Sequence, residues 1–533
     1  MGPRLLATYR LRCAAADAPA RAQALAIEQS VEMPPEAIGD PALRARVLGT
    51  VEALETDPAD PDATLATLSL ASETVGADPV QLMNMLFGNC ALQPDVTLLD
   101  ARLPEALLAA LPGPRFGAAG LREATGSGEG LRPLGCTALK PQGLAPEDLA
   151  RLAYAFARTG IDVIKDDHGI ADQAAAPFDR RVAEVQRAVD RANREKAGSH
   201  DPLLAGHRSL YAPHVSGTPA RVARQLEAMR NEGVGAALAC PMLMGVGTFV
   251  ESLRMRAGVP IIAHPAFAGG QIAPSLLLGR LFRLFGADAT IFPNWGGRFS
   301  FTREECLAIA GTAREPLGPH LPIMPVPAGG MRVERCGEMI AAFGLDTMLL
   351  IGGDLLSAGP AMPARAAAFA RALHEAAGGI GERAAAAHAD IALDLRGVTA
   401  DSTTDIGAAV QAAIEGILLA RYRYDVLRRP ADGVTALAFA RMRYSDPQGD
   451  IGRTQRQQQL ISAVGEEVAQ RSLLWQPGRQ VSLLRAGTDA LVVSEGTSIL
   501  DLGRLALAFR DATGPEGIRG TPPIADVDYQ PGG

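Results

Sequence analysis

A (β/α)8 barrel behind a mixed α+β domain is the fold class this 533-residue sequence predicts, with a further α/β region after it. Three observations carry that expectation. From residue 134 to about 377, a short apolar run alternates with a helical stretch eight times, within the usual length of such a barrel. Residues 1–125 mix strand and helix signals without that rhythm. Several apolar runs end in charges, histidines or glycine pairs, at the strand ends where a barrel keeps its catalytic face. The expected boundaries are 1–125, 126–380 and 381–533.

In the first region RLLATYRLRC reads as a strand, ARAQALAIEQ as a helix and ATLATLSLAS as a strand. DPVQLMNMLFG follows as a helix opened by Asp78 and Pro79, and VTLLDARLP as another strand. LPGPRFGAAG and ATGSGEGLRPLG read as turns. The barrel strands are LGCTALKP, IDVIKDD, SLYAPHVSG, GAALACPML, PIIAHPAFAGG, ATIFPN, PIMPVPAGG and TMLLIGGD. Helical stretches follow each, from PEDLARLAYAFARTG to PARAAAFARALHEAAG. Beyond residue 381, IGAAVQAAIEGILLARYRYDVL is helix-like and VTALAFARMRY, RQVSLLRAG and TDALVVSEG are strand-like, with no chemical motif among them.

A hydrophobic fraction of 47% with 21% charged residues describes a globular chain rather than a disordered one. A net charge of −8 argues against a nucleic-acid-coating surface, while local arginines or backbone amides can still hold a phosphate. Six scattered cysteines without a CxxC pair suit a reducing compartment. The first residues show no apolar core before a cleavage site, and SLLLGRLFRLFG is interrupted by Arg280 and Arg283. A cytoplasmic enzyme is expected, with no membrane or nucleic-acid partner.

The chemistry concentrates at strand ends. KDDH (Lys165, Asp166, Asp167, His168) closes the second barrel strand, and alternation places Lys165 and Asp167 on one side. An ion pair and a metal site are both open readings. Oxygen ligands suit Mg2+, histidine also tolerates Mn2+ or Zn2+, and lysine joins only if its charge is removed. Lys140 in GCTALKPQGL ends the first strand, either as a surface charge or as a proton acceptor at the barrel mouth. His264 ends strand five and His214 strand three, where a hydrogen-bonded structural histidine is the plainer alternative. Arg298 follows Gly296 and Gly297 in a loop that can fold over an anion. Gly329 with Gly330, and Gly352 with Gly353, end strands seven and eight, where this fold commonly builds a phosphate cup.

Together these segments resemble the large-chain family of ribulose-bisphosphate carboxylase (RuBisCO) over roughly residues 5–377. The family's KPKxGLS-like segment is matched by KPQGL, its KDDE by KDDH, and the GPRFG turn stands between the domains. The resemblance implies that Lys165 is carbamylated by CO2 and binds Mg2+ beside Asp167 and His168, the last standing where the carboxylase has glutamate. It implies that Lys140 drives enolisation, that His264 is an active-site histidine, and that Arg298 replaces the mobile loop-six lysine. It further implies that Glu28 and Asn89 reach the site of a neighbouring subunit, hence a homodimer with shared sites.

The departures bear on function. Pro265, Ile291 and Ala328 stand where the carboxylase has an arginine, a histidine and a serine for its second phosphate. A monophosphate substrate and no CO2 fixation are implied, as in the family's form IV, the RuBisCO-like proteins. KPQGL, KDDH and FPNWGGRF resemble members that cleave or decarboxylate a sugar-acid phosphate such as 3-oxo-isoapionate 4-phosphate. A methionine-salvage enolase or isomerase is the alternative. A non-catalytic scaffold is a third reading, as is a Schiff-base aldolase.

Overall fold

The computed structural model describes residues 2–127, 132–201, 203–299 and 301–376, the rest of a helix to Ala389, and four two-residue strands beyond it. Two compact units divide the chain, 1–377 and 378–533.

The first unit opens with an antiparallel sheet of β1 (Arg4–Leu11), β2 (Thr50–Asp57), β3 (Asp60–Ala71) and β4 (Val96–Arg102), in the order β2-β3-β1-β4. Strict alternation in β1 buries Leu5, Ala7, Tyr9 and Leu11 on one face. The buried Tyr9 hydroxyl donates to the Leu86 carbonyl at 2.7 Å, so the ring is buried without an orphaned donor. Asp78 caps the helix Pro79–Phe87 by accepting from the Val80 N–H, as Asp before Pro at a helix start predicts. Two expectations need correction. β2, rich in charge and largely exposed, was not expected as a strand, because one polar face of an edge strand hides its period. The turn-rich GPRFG region contains the helix Gly117–Ala124, whose glycines mask it.

Eight parallel strands then close a barrel: β5 (Leu134–Leu139), β6 (Val163–Asp166), β7 (Leu210–Ala212), β8 (Ala237–Ala239), β9 (Ile261–Ala263), β10 (Ala289–Pro293), β11 (Met324–Ala328) and β12 (Met348–Leu350). Their order is β7-β6-β5-β12-β11-β10-β9-β8, and a bridge between His214 and Leu238 joins the two ends. The interior is packed with Cys136, Val163, Leu238, Ile262, Ile291 and Val326, and helix Gly117–Ala124 adds Ala118 and Leu121. Every strand–helix unit expected from the sequence is present, although Phe249–Arg254 and Ser275–Leu281 are wound as π-helix. Helix Arg303–Arg314 starts at a capping box of Thr302 and Glu305.

Loop and sheet meet between the two domains of this unit. Leu98 of β4 donates to the Gln271 carbonyl (2.8 Å) and accepts from the Ala273 N–H (2.8 Å), so the loop after β9 continues the N-terminal sheet. All six cysteines are free, and no helix among the described residues is long and apolar enough to cross a membrane.

In the second unit Leu393–Asp394 pairs in parallel with Leu491–Val492, and Tyr424–Asp425 pairs antiparallel with Pro430–Ala431. Tyr424–Asp425 fall near the end of the stretch expected as a helix and are strand instead, while the rest of that stretch and the expected strands VTALAFARMRY and RQVSLLRAG lie outside the described residues.

Candidate active site

The site begins with what anchors the KDDH turn. Asp166 points away from Lys165 and Asp167 and is fully buried. It accepts from Arg181 Nε (3.0 Å), the Tyr211 hydroxyl (2.9 Å) and the His214 N–H (3.0 Å). Arg181, also fully buried, donates further to the carbonyls of Ala171 and Ala176, both at 2.7 Å. One guanidinium therefore ties the end of β6 to the loop behind it. Burial pushes the Asp166 carboxyl up, against the lowering effect of Arg181 and its hydrogen-bond donors. This anchor was not foreseen, because Arg181 lies on a helix in FDRRVAEV, where adjacent arginines read as solvated charge.

On the opposite side Asp167 is the hub. Lys140 Nζ donates to its Oδ2 at 2.7 Å, and His168 Nδ1 lies 3.1 Å from its Oδ1. Burial alone would raise the Asp167 carboxyl. Hydrogen bonds from His168 and Lys140, with the charges of Lys140 and Lys165, hold it well below the usual carboxylate range. The His168 ring stacks on His264 with centroids 4.2 Å apart and planes 16° from parallel. His264 Nδ1 accepts the Ala266 N–H at 3.1 Å, so in the neutral ring Nε2 carries the proton. Burial, then the charge of Lys165, pushes His264 down to about 2, and the ring is a neutral donor.

Lys165 is buried at 3% exposure, and its amine donates to the Asp166 carbonyl at 3.0 Å. Burial lowers its pKa, with only partial opposition from Cys136 and Asp167. No carboxylate stands within ion-pair distance of that amine among the described residues. His214 sits nearby, 2% exposed, between the Ile170 carbonyl (3.2 Å) and Cys240 Sγ (3.5 Å). Burial pushes it down to about 4, the hydrogen-bonded structural role that was its plainer reading.

Metal-binding geometry can be tested on these distances. Mg2+ takes oxygen donors at about 2.1 Å in an octahedron, which puts adjacent donors about 3 Å apart. Asp167 Oδ1 and His168 Nδ1 have that spacing. Among the described residues no three His, Cys, Asp or Glu side chains converge on one point, so a third protein ligand would have to come from Lys165. A lysine that is buried, unpaired and shifted toward the neutral amine suits conversion to an anionic carbamate. The donor set fits.

The other expected residues fall in separate places. Gly329 lies at φ 85°, and added side-chain carbons at Gly329, Gly352 or Gly353 would meet open space, leaving backbone that an anion can approach. Gly330 instead faces the loop carrying Arg298. Arg298 is exposed, its guanidinium 5.1 Å above the Phe299 ring, and among the described residues no hydrogen bond or ion pair joins it to Lys140 or Asp167. Glu28 and Asn89 do come together: Asn89 Nδ2 donates to Glu28 (3.0 Å) and also to Glu32 (2.9 Å), a carboxylate the sequence reading missed. A cavity of about 160 Å³ lies between the loops after β5 and β6, lined by Gln142, Leu144, Ile170, Gln173, Ala175 and Ala176.

A lysine–aspartate–histidine cluster and the open glycines Gly329, Gly352 and Gly353 thus stand at the strand ends of one barrel. The family model for the catalytic domain of the ribulose bisphosphate carboxylase large chain matches residues 125–203, and a LytR_cpsA_psr family model matches 395–492. The chain is 49% identical over 370 residues to ribulose bisphosphate carboxylase-like protein 1 of Rhodopseudomonas palustris, covering 69% of this chain and 97% of that protein. It is 46% identical over 378 residues to 5-methylthioribulose-1-phosphate isomerase of Rhodospirillum rubrum, covering 71% and 98%. The crystal structure of a RuBisCO-like protein from Rhodopseudomonas palustris superposes with a TM-score of 0.64 at 45% identity, over 70% of this chain and 99% of that one. The chain belongs to the RuBisCO large-chain family, among its RuBisCO-like proteins. The LytR_cpsA_psr match falls where the sequence offered no motif.

Proposed function

We propose that this chain is a non-carboxylating isomerase that enolises a ketose monophosphate, with 5-methylthioribulose 1-phosphate the first substrate to test. The observation that carries the reading is the Lys140–Asp167–His168–His264 cluster beside the buried, unpaired Lys165. Lys165 as a carbamate, Asp167 and His168 would hold Mg2+, which when bound would polarise the substrate's carbonyl and stabilise developing enolate charge. Lys140 would first release to solvent the proton it shares with Asp167, then as a neutral amine take the carbon-bound proton and return it to the neighbouring carbon. His264, neutral with its proton on Nε2, donates a hydrogen bond without adding charge. The open backbone of Gly329, Gly352 and Gly353 receives the phosphate.

Two observations favour a methylthio sugar over a sugar acid such as 3-oxo-isoapionate 4-phosphate. One is the 46% identity to the Rhodospirillum rubrum isomerase across 98% of its length. The other is the cavity between the Lys140 and His168 loops, where Leu144, Ile170, Ala175 and Ala176 stand beside the neutral amides of Gln142 and Gln173, with no cationic side chain among the described residues of the lining to hold a carboxylate. The exposed Asn89, with the half-buried Glu28 it bonds, would serve the site of a second copy in a homodimer.

The test is solvent-deuterium exchange and product analysis on EDTA-stripped protein, restored with Mg2+ in the presence and absence of bicarbonate. Isomerisation of the methylthio ketose is expected to need both additions and to vanish in Lys165→Ala and Lys140→Ala. Mixed dimers of Glu28→Gln and Lys140→Ala chains should regain part of the activity. Cleavage of 3-oxo-isoapionate 4-phosphate in preference would replace the substrate assignment, and no exchange on either would leave a scaffold.

A further inference from the structure

The loop after β10 carries Arg298, and the loop after β11 carries the Gly329–Gly330 pair. They are joined by contacts that the catalytic reading does not use. Arg335, in the short turn before helix Cys336–Phe343, donates from Nη1 to the Trp295 carbonyl (3.3 Å) and to the Gly330 carbonyl (3.2 Å). Its Nε and Nη2 both bond Glu338 at 2.9 Å, and Glu338 also accepts from the Trp295 indole N–H at 3.2 Å. Trp295 rests on Phe343, ring centroids 5.1 Å apart.

Beneath this clamp the two loops meet backbone to backbone. A side-chain carbon on Gly330 would stand 2.6 Å from both the Gly296 carbonyl oxygen and the Gly297 Cα, so only glycine admits the contact. The Asn294 N–H donates to the Ala328 carbonyl at 2.7 Å, continuing the β10–β11 pairing into the loops.

We infer that Arg335 is a positioning residue that locks the Arg298 loop onto the glycine pair, so that the anion cup and the loop-six arginine are set by one side chain. A guanidinium suits the task because its planar fork reaches two carbonyls and a carboxylate together, which a lysine ammonium does not. Arg298, two residues beyond the Gly296 contact, inherits its placement from Trp295 and Gly330. The inference rests on the proposed use of the cup for phosphate, but its physical test does not require turnover.

Trp295 supplies the readout. The chain has two tryptophans, so Trp475→Phe leaves Trp295 as the single reporter. Acrylamide quenching would be measured on the full chain in that background, for the parent, Arg335→Met and Arg335→Lys, alone and with inorganic phosphate. Both variants are expected to raise the quenching constant at least about twofold with unchanged far-UV circular dichroism, and phosphate is expected to protect the parent only. In turnover, Arg335→Lys should lower kcat about tenfold or more with a smaller change in KM, the signature of a misplaced group. Unchanged quenching in both variants would overturn the clamp. So would a rise accompanied in both by loss of secondary structure, which assigns Arg335 to the fold. If the parent turns over no candidate substrate, the quenching arm still decides, and the failure belongs to the proposed function.

Discussion

Replacing Arg181 with methionine should destabilise the first unit by about 3–5 kcal/mol, the usual loss when one partner of a buried ion pair is removed. The structure sets the magnitude. Arg181 and Asp166 are both fully buried, and the substitution also removes the donors to Ala171 and Ala176. What remains around Asp166 is the Tyr211 hydroxyl and one N–H. Burial already pushes Asp166 up, so without Arg181 the carboxyl can take a proton, which limits the loss. Adding Asp166→Asn should therefore cost less in the Arg181→Met background than alone, with a coupling of roughly 1–3 kcal/mol. Urea unfolding followed by Trp295 fluorescence, with Trp475 replaced by phenylalanine, gives each corner of the cycle. A loss below about 1 kcal/mol for Arg181→Met, or simple additivity, would refute the anchoring argument.

A pH dependence comes from Lys196, which is 3% exposed and bonds His207 and Ser209, both at 2.8 Å. Burial pushes its amine down to about 7, whereas in the unfolded chain it titrates near 10.5. Between those values the unfolded state binds more protons, so this group's contribution makes stability rise with pH from about 7 to 10.5 and stay flat below. Lys196→Met should remove that rise when urea midpoints at pH 7 and 9.5 are compared; an identical rise in both proteins would exclude Lys196 as its source. Gly330→Ala, at φ 65° and with Gly296 and Gly297 in the way, should cost about 1–3 kcal/mol and abolish protection of Trp295 by phosphate. Retained protection would mean that the loops can separate without consequence for the cup.

The barrel was legible because each strand is a short apolar run and each helix an amphipathic one, so two periods alternate along the chain. The N-terminal sheet was legible only where one face is buried: β1 alternates cleanly, while the exposed β2 does not. At the site, period-two alternation correctly separated Asp166 from Lys165 and Asp167. The residues it could not find are those brought in from a distance. Arg181 lies 15 positions from Asp166, Glu32 57 positions from Asn89, and Arg335 40 positions from Trp295. Each makes a contact that no local spacing encodes. The stacking of His168 on His264 likewise joins two strand ends that nothing between them in sequence connects.

The hydrogen bonds from Leu98 to the loop after β9 bear on how this chain can be recombined with its relatives. That loop begins beside His264 yet is bridged at Ile272 to β4 of the preceding domain. A chimera cut at the sequence boundary near residue 125 would divide one sheet between two parents. The segment around Gln271–Ala273 belongs, for that purpose, with the N-terminal parent. The exchangeable module is thus discontinuous, and the register of β4 is transmitted to the mouth of the barrel.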